Sequence, residues 1–329
     1  MANNHKNLIV GLANDGFIDQ VKQLFSSIYF NAGWTGDYLL LAHEVSEEKL
    51  IWFRNKGIKI YKTKALGPDT GPGNYPTVVL SKFYLFKEYF KKWDTVVFLD
   101  SDIIVRASLD RLLNVSGFSA PTVEHFNLAG QFTKDKKIIQ ELELNKKYNL
   151  KKDCLCSGIF AFNTDLIQPD TFSKIMSIYQ KYKRSSMLGE ESILNLFFYN
   201  NWQPLPIVYN CNLDDMRDLY GLKSHQALYF IVHFGWKVKP WKPESVFYQE
   251  WQENLKKAEE IDLKNRPAAE KIISDKELKR YLTFLYFKKN PRSVLLFIDR
   301  QIGRLGLLIK KFNPKFYSKI SKNKNESWR

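Results

Sequence analysis

Asp100 and Asp102 are separated by one serine and follow an apolar, β-branched stretch, Thr95–Leu99. Because residues two apart on an extended chain point to the same face, we expect the two carboxylates to lie close together on one side. Adjacent carboxylates repel each other unless a cation or a proton lies between them. Their oxygens suit a hard divalent ion such as Mg²⁺ or Mn²⁺, which keeps open positions for a phosphate. The alternative is a strand-to-helix turn in which one aspartate caps the next segment and the other is solvated.

The chain before this pair alternates between strand and helix patterns. The strand patterns are "NLIVGLA", "GDYLLLA" and "IKIYKTK", and the helix patterns are "GFIDQVKQLFSSIYF", "SEEKLIWFRNKG" and "TVVLSKFYLFKEYFKKW". The Gly- and Pro-rich stretch "LGPDTGPGNYP" predicts a loop. Such alternation predicts an α/β fold with a mostly parallel, doubly wound sheet and helices on both faces. Ligands bind at the carboxyl ends of the strands in sheets of this kind, which is where the two aspartates lie.

The second half of the chain predicts further strands that extend the same sheet. These strands are "GFSAPTV", "CSGIFAFNTDLI", "QPLPIVYN" and "ALYFIVHF". His233 ends the last strand, and Gly235 and Lys239 follow it. A histidine at a strand end is commonly structural, but here the glycine allows close backbone approach and the lysine offers a compact charge. We therefore interpret His233 as a third metal ligand and Lys239 as a phosphate contact.

Length and composition exclude several classes of protein. At 329 residues the chain has material for one large domain and an appendage. Its three cysteines are too few for a disulfide framework, and Cys154 and Cys156 lack a second ligand pair for a zinc site, so a reducing cytoplasm is expected. The N-terminal apolar run "LIVGLA" predicts a first strand rather than a signal peptide. No stretch approaches the roughly 18 apolar residues that a membrane span requires.

The positive charge of the chain is concentrated near its C-terminus. The net charge is +15, and residues 276–329 hold 15 Lys and Arg against 3 Asp and Glu. A helix over this region would carry an apolar stripe of Val294, Ile298, Leu305, Ile309 and Phe312 opposite Arg300, Arg304, Lys310 and Lys311. Such a basic amphipathic helix predicts peripheral attachment to the anionic inner face of the plasma membrane. The alternative is a helix docked on the main domain with solvated lysines.

Taken together, these motifs resemble a known family, the retaining glycosyltransferases of family eight, whose members include glycogenin and bacterial lipopolysaccharide galactosyl- and glucosyltransferases. The resemblance spans roughly Asn7 to Trp241. It is carried, in this order, by "LANDGF", "LSKFYLF", "VVFLDSDIIV", "CSGIFAFN", "EESILN", "LPIVYN" and "HFGWKVKPW". The D-x-D stretch alone is a weak signal. The ordered set, closed by the His to Lys-Pro-Trp motif, is specific.

The resemblance implies a GT-A fold and a UDP-sugar donor held through Mn²⁺ or Mg²⁺. It implies metal binding by Asp100, Asp102 and His233. By residue-to-residue carry-over, the donor contacts Ala13, Asn14, Phe17, Lys82, Asp100, Ser101, Ser157, Gly158, Glu190, Gly235 and Lys239. In this set Phe17 stands where the family has a tyrosine that stacks on uracil, and Lys82 contacts the donor near its diphosphate or its sugar.

Three departures from the family pattern affect the donor and the mechanism. Cys156 replaces an asparagine that could hydrogen-bond a sugar hydroxyl, and Gly235 falls one place early in the last motif. The family's Asp-Gln pair is Glu190 and Glu191 here. Retention needs either a covalent intermediate or same-face attack in which the leaving phosphate takes the acceptor's proton. Glutamine favours the second path, Glu191 permits the first, and both glutamates can also simply stabilise a helix N-terminus. The catalytic candidates are Glu191, Glu190 and Lys82.

These observations predict a GT-A catalytic domain over residues 1–250, made of a nucleotide-binding half, 1–105, and an acceptor half, 106–250. A basic helical region, 251–329, follows. The predicted activity is metal-dependent transfer of glucose or galactose from a UDP-sugar to a saccharide or lipid-linked glycan, in cell-surface polysaccharide or lipopolysaccharide synthesis. A nucleotide-sugar pyrophosphorylase is an alternative, but "LANDGF" lacks its Gly-rich activating loop. A second alternative is a nucleic-acid- or membrane-binding protein that uses the basic tail. No nucleic-acid partner is expected, because no RNA or DNA module is recognisable in the sequence.

Overall fold

The computed structural model describes residues 6–68, 72–222, 230–235 and 238–290. They form two compact units. The first contains the described residues up to 217 and those from 230 to 273, and the second contains residues 218–222 and 274–290. The stripe predicted between Val294 and Phe312 lies outside the described residues.

The strands of the described chain form two sheets. They are β1 (Asn7–Ala13), β2 (Asp37–His43), β3 (Lys59–Thr63), β4 (Thr95–Leu99), β5 (Ile103–Val105), β6 (Phe118–Pro121), β7 (Ile159–Asn163), β8 (Trp202–Leu205) and β9 (Ile231–His233). Seven form the central sheet in the order β3-β2-β1-β4-β7-β6-β8. The first four strands in this order pair in parallel, as do β6 and β8, whereas β7 is antiparallel to both of its neighbours. The predicted mostly parallel sheet is confirmed.

Helices cover both faces of this sheet. The helices of the described chain are α1 (Ile18–Asn31), α2 (Glu47–Asn55), α3 (Lys136–Glu141), α4 (Leu144–Lys147), α5 (Thr171–Tyr182), α6 (Glu190–Phe197), α7 (Leu213–Tyr220), α8 (Tyr248–Lys257) and α9 (Asp275–Lys289). On one face, Val10 of β1 packs in a core with Ile175 of α5 and Ile193 of α6. On the other face, Gly11 lies against α1 so closely that a Cβ atom would be 2.7 Å from Val21 Cγ2. This is the predicted doubly wound arrangement.

The segment between β3 and β4 differs from its prediction. The expected α-helix over "TVVLSKFYLFKEYFKKW" is wrong, because the chain forms two stretches of 3₁₀-helix, Thr77–Phe86 and Glu88–Lys92. β-Branched and aromatic side chains disfavour a regular α-helix, and the tighter winding buries Phe83, Phe86 and Lys82 together. Turns and bends occupy the described part of the predicted loop before it, 66–68 and 72–76, and residues 69–71 lie outside the described residues.

The expectation that "ALYFIVHF" extends the central sheet is also wrong. Its described end forms β9, which pairs antiparallel with β5 in a separate two-stranded sheet. β9 pairs with β5 because the turn at residues 100–102 directs β5 out of the central sheet, which leaves the edge of β5 available to β9. Ile103 lies opposite His233 in this pairing, so the end of β9 returns to the aspartates.

The first unit continues past residue 250, where the catalytic domain was predicted to end, as far as Ile273. Trp251 of α8 joins a small core with Phe247 and Val232. The Tyr29 hydroxyl donates to the backbone oxygens of Asp262 and Asn265, at 2.9 and 2.6 Å. The segment after α8 is therefore fastened to α1. None of the helices in the described ranges is both long enough and apolar enough to cross a bilayer.

Candidate active site

The turn after β4 and the end of β9 bring three side chains together. The Asp100 N–H donates to Gly158 O at 2.8 Å, and the Phe234 N–H donates to Asp102 O at 3.1 Å. These bonds tie the turn to β7 and to the end of β9. As a result, one ligand atom from each of Asp100, Asp102 and His233 lies within 4.8 Å of the others. Two carboxylates and one imidazole thus converge as the sequence predicts.

Asn210 orients the imidazole of His233. The Nδ1 atom of His233 lies 2.7 Å from Asn210 Oδ1. Because an amide oxygen only accepts, Nδ1 carries a proton and donates it. Nε2, the other ring nitrogen, lies 3.4 Å from Asp102 Oδ1, on the side of the carboxylates. A second partner that fixes the ring in this way is typical of metal-ligating histidines, and the donor set fits Mn²⁺ or Mg²⁺.

Cations surround Asp102. The Lys239 ammonium lies 2.6 Å from Asp102 Oδ2 and also donates to the backbone oxygens of Phe234 and Gly235. Burial opposes ionisation, but His233 and Lys239 outweigh it and lower the pKa of Asp102. Burial likewise lowers the pKa of His233, but the Asp102 carboxylate overcomes this and raises it well above its usual range. A histidine ligand binds a metal through a deprotonated nitrogen, so Nε2 of His233 would have to be free of its proton to hold one.

Lys82 is buried between two further carboxylates. Its ammonium lies 2.9 Å from Asp100 Oδ1 and 2.6 Å from Glu190 Oε1, and it donates to Ser157 O at 3.1 Å. Burial disfavours the charged amine, but these two carboxylates raise the pKa of Lys82 above its usual value. Burial and the neighbouring Asp102 raise the pKa of Asp100 to about 6 although Lys82 opposes this. Lys82 is therefore the charge partner of buried Glu190 and of partly buried Asp100.

Gly158 packs directly against the metal-ligand candidates. A Cβ atom at this position would lie 2.4 Å from His233 Cε1 and 3.0 Å from Asp100 Oδ2. Any side chain here would push the imidazole away from the carboxylates. The glycine of the "CSGIFAFN" motif is thus required by close packing within the site.

The two glutamates at the start of α6 have different surroundings. Gly189 precedes them with φ +62 and ψ −126, a conformation that glycine adopts far more readily than other residues. Glu190 is buried, accepts from the Ser157 hydroxyl at 2.9 Å and pairs with Lys82. Burial raises its pKa, and Lys82 opposes this. Glu191 accepts from the Ser157 N–H at 2.9 Å and from the Gln131 amide at 2.7 Å. Among the described residues, no cation forms an ion pair with Glu191.

A cavity of about 260 Å³ lies beside these groups. Among the predicted site residues its lining includes Lys82, Asp100, Asp102, Ser157, Gly158, Glu190, Glu191, His233 and Gly235. Cys156 also lines it, and burial raises the pKa of its thiol. A Cβ atom on Gly235 would meet nothing within 4 Å, so there is open space beside its backbone.

Five predicted donor contacts do not line this cavity: Ala13, Asn14, Phe17, Ser101 and Lys239. Ala13 is buried at the end of β1, and Asn14 uses its Oδ1 atom to accept from the Gly16 N–H at 3.1 Å. Phe17 is 42% exposed, and its ring meets Trp241 edge to face at a centroid distance of 6.0 Å. Ser101 lies between the two aspartates in the turn. Their roles toward a nucleotide remain predictions.

Several residues of the cavity are absent from the predicted set: Tyr75, Val79, Val123, Glu124, His125, Phe126, Leu188, Asn210 and Asn212. Asn210 had a detectable signal, because it ends the "LPIVYN" motif. Val123 ends the predicted strand "GFSAPTV", which by itself does not indicate a site, and residues 124–126 follow it in a loop without strand or helix periodicity.

Comparison with known proteins identifies the family. The model of Glycosyl transferase family 8 matches residues 37–245, well over half of the chain. The chain belongs to glycosyltransferase family 8.

Two curated relatives match part of their length. The probable glycosyl transferase Gly of Streptococcus gordonii is 24% identical over 184 residues, which cover 54% of this chain and 24% of that protein. Glycosyltransferase GlyF of Streptococcus pneumoniae is 22% identical over 265 residues, covering 73% of this chain and 58% of that protein. The chain therefore spans about a quarter of the first relative and under two thirds of the second.

Solved structures share the fold. The galactosyltransferase LgtC, solved with donor and acceptor sugar analogues, superposes with a TM-score of 0.59 at 14% identity, covering 76% of this chain and 95% of that chain. Glycosyltransferase GlyE of Streptococcus pneumoniae superposes with a TM-score of 0.54 at 17% identity, covering 82% of this chain and 67% of that chain. The GT-A fold is thereby confirmed.

Proposed function

We propose that this chain is a metal-dependent glycosyltransferase that moves a hexose from a UDP-sugar to a saccharide or lipid-linked glycan. The observation that carries the proposal is the convergence of Asp100, Asp102 and His233 within 4.8 Å beside a cavity. Asn210 holds the third ligand in the orientation that metal binding requires. Membership of glycosyltransferase family 8 supplies the class of reaction.

Each part of the donor has residues suited to it. When bound, Mn²⁺ or Mg²⁺ supplies positive charge that neutralises the departing UDP. Lys239 contacts the diphosphate, since its ammonium already lies beside Asp102. The exposed ring of Phe17 stacks on uracil. Ser157 and Gly158 face the sugar from the wall of the cavity.

The two glutamates take separate roles in this proposal. Lys82 neutralises Glu190 and fixes it together with Asp100. Glu191 presents a carboxylate that lines the cavity without a cationic partner among the described residues. Its oxygens accept from Ser157 and Gln131, which weakens it as a nucleophile and favours electrostatic support of the positive charge on the reacting carbon. We therefore assign same-face attack, with the leaving phosphate taking the acceptor's proton, in preference to a covalent intermediate on Glu191.

The decisive experiment is release of UDP from a panel of UDP-sugars with Mn²⁺, because slow hydrolysis reveals the donor without the acceptor. We expect one UDP-hexose to be turned over and an excess of chelator to stop the reaction. Full turnover in chelator would contradict the metal assignment. With an acceptor in hand, an α-linked donor should give an α-linked product, and an inverted product, read from the anomeric proton coupling, would contradict retention.

We also propose that residues 276–329 bind an anionic membrane surface at the inner leaflet. Helix α9 contributes Lys276, Lys279, Arg280, Lys288 and Lys289. Phe284 and Tyr286 on the same helix are 39% and 57% exposed. Each basic residue near such a surface contributes about 1 kcal/mol, screened by salt, and exposed aromatic rings add apolar contact.

Truncation before Asp275 tests this part. The truncated protein should no longer sediment with phosphatidylserine vesicles, yet it should still hydrolyse the donor, because the proposed metal and donor contacts all precede it. Sedimentation that survives truncation, or a full chain that does not bind anionic vesicles, would contradict membrane binding through residues 276–329. A truncated protein that folds poorly would show that this region docks on the catalytic unit.

A further inference from the structure

Gln131 is a fully buried amide beside the cavity that is absent from the proposed metal and donor contacts. It ends a short 3₁₀ turn, Leu128–Gln131, in the connection between β6 and β7. Its Nε2 atom donates to Glu191 Oε1 at 2.7 Å. The two residues are far apart in sequence, so this contact exists only in the folded chain.

The Glu191 carboxylate sets the orientation of the Gln131 amide. A carboxylate only accepts hydrogen bonds, so the amide nitrogen, not the oxygen, faces Glu191. The Ser192 hydroxyl donates its one proton to the Gln131 backbone oxygen at 2.8 Å, and its oxygen lies 3.4 Å from the amide oxygen. Rotating the amide by half a turn would place two acceptors against each other at Glu191.

Gln131 controls one oxygen of Glu191, and Ser157 controls the other. Glu191 Oε2 accepts from the Ser157 N–H at 2.9 Å, and the oxygen of the Ser157 hydroxyl, which donates to Glu190, lies 3.3 Å away. On Oε1, Gln131 is the one protein donor among the described residues. Without it the carboxylate would be held at a single oxygen and would be free to turn about its terminal torsion, which has a broad energy well.

We propose that Gln131 is a positioning residue that fixes the Glu191 carboxylate toward the sugar in the cavity. The inference rests on the proposed glycosyl transfer. Gln131 makes no contact with the metal-ligand candidates, so its effect should appear in turnover and not in nucleotide binding. Both donors to Glu191 are neutral, so they orient the carboxylate while leaving its charge directed at the reacting carbon.

The test is a double-mutant cycle in the full chain with Gln131→Met and Glu191→Gln. Methionine keeps the volume of the side chain and removes the donor. We expect Gln131→Met to lower kcat about 10-fold, with the Kd of UDP in Mn²⁺ unchanged by calorimetry. In the Glu191→Gln background, the same change should cause no further loss, because the two residues act as a unit.

Gln23→Met is the matched control, since Gln23 is also fully buried but neither amide atom has a protein partner. It should leave kcat unchanged. An unchanged kcat in Gln131→Met, or an equal loss with and without Glu191, would overturn the inference. If Gln131→Met does not fold, Ser192→Ala replaces it in the same cycle with the same criteria. A wild-type chain that releases UDP from no donor would overturn the proposed function itself, whereas normal turnover with no coupling would overturn the inference alone.

Discussion

Two pairs of acidic residues reach the same cavity, and their surroundings differ. Asp100 and Asp102 follow β4, and each carboxylate touches at least one cation. Glu190 and Glu191 begin α6, where Glu190 shares Lys82 with Asp100, but the donors to Glu191 in the described part of the chain are all neutral. Buried charges require partners, and neutral donors orient a charge without cancelling it.

This difference in partners suits the two pairs to different roles in the proposed reaction. In the proposed function the first pair would exchange one cation for another, because His233 and Lys239 lie beside Asp102 where a divalent ion would bind. Glu191, which has no cationic partner among the described residues, lines the cavity with its carboxylate. The first pair therefore suits metal and diphosphate, and Glu191 suits the developing positive charge of the sugar.

The largest effect should come from Asp102→Ala. Removing one of three ligands also leaves Lys239 and His233 without their shared carboxylate. We expect turnover to fall by about 10³-fold or more and Mn²⁺ binding to be lost. Asp170→Ala, at an exposed pair with Lys174, is the control and should leave both unchanged. If Asp102→Ala retained wild-type Mn²⁺ affinity, the division between the two pairs would be wrong.

Lys82→Met should break the link between the pairs. It leaves the buried Glu190 carboxylate, and the partly exposed Asp100, without their shared cation, so we expect the free energy of unfolding to fall by about 3–5 kcal/mol. Urea denaturation measures it. Lys146→Met, which removes an exposed ion pair with Glu143, should leave the free energy of unfolding nearly unchanged. Equal losses in the two variants would mean that Lys82 adds no special stability.

Glu191→Gln tests whether Glu191 acts through its charge or as a nucleophile. The change keeps the shape of the side chain and removes its charge. With an electrostatic role we expect kcat to fall about 100-fold while Mn²⁺ and UDP affinities stay the same. A loss of about 10⁴-fold or more would instead indicate a covalent intermediate on Glu191. Full activity would remove Glu191 from the mechanism.

Asn210→Leu tests the support behind the first pair and should give the smallest effect. Loss of the hydrogen bond to His233 Nδ1 frees the ring, and we expect Mn²⁺ affinity to fall at least about 10-fold. Gln203→Leu, at an exposed amide that bonds Ser116, serves as the comparison and should not alter Mn²⁺ affinity. A variant with normal metal affinity would show that Asn210 is not needed to orient the ligand.

The local pattern of the chain was enough to predict much of this molecule. Alternating apolar segments indicated the parallel sheet, because side-chain period and helix length are local properties. The aspartates were predicted at a strand end, and the ordered motifs indicated the family. The 3₁₀ winding of Thr77–Phe86 was not predicted, because burial of several aromatic rings and Lys82 in one core overrides local helix preference.

The sequence by itself determined which residue types stand at the ends of which strands. Only the tertiary structure decided their partners. β9 pairs with β5 outside the central sheet, and this pairing places His233 next to Asp102. Lys82 joined Asp100 to Glu190, and Gln131 reached Glu191, through contacts between distant parts of the chain. Such contacts depend on how elements pack in space, and no periodicity along the chain encodes them.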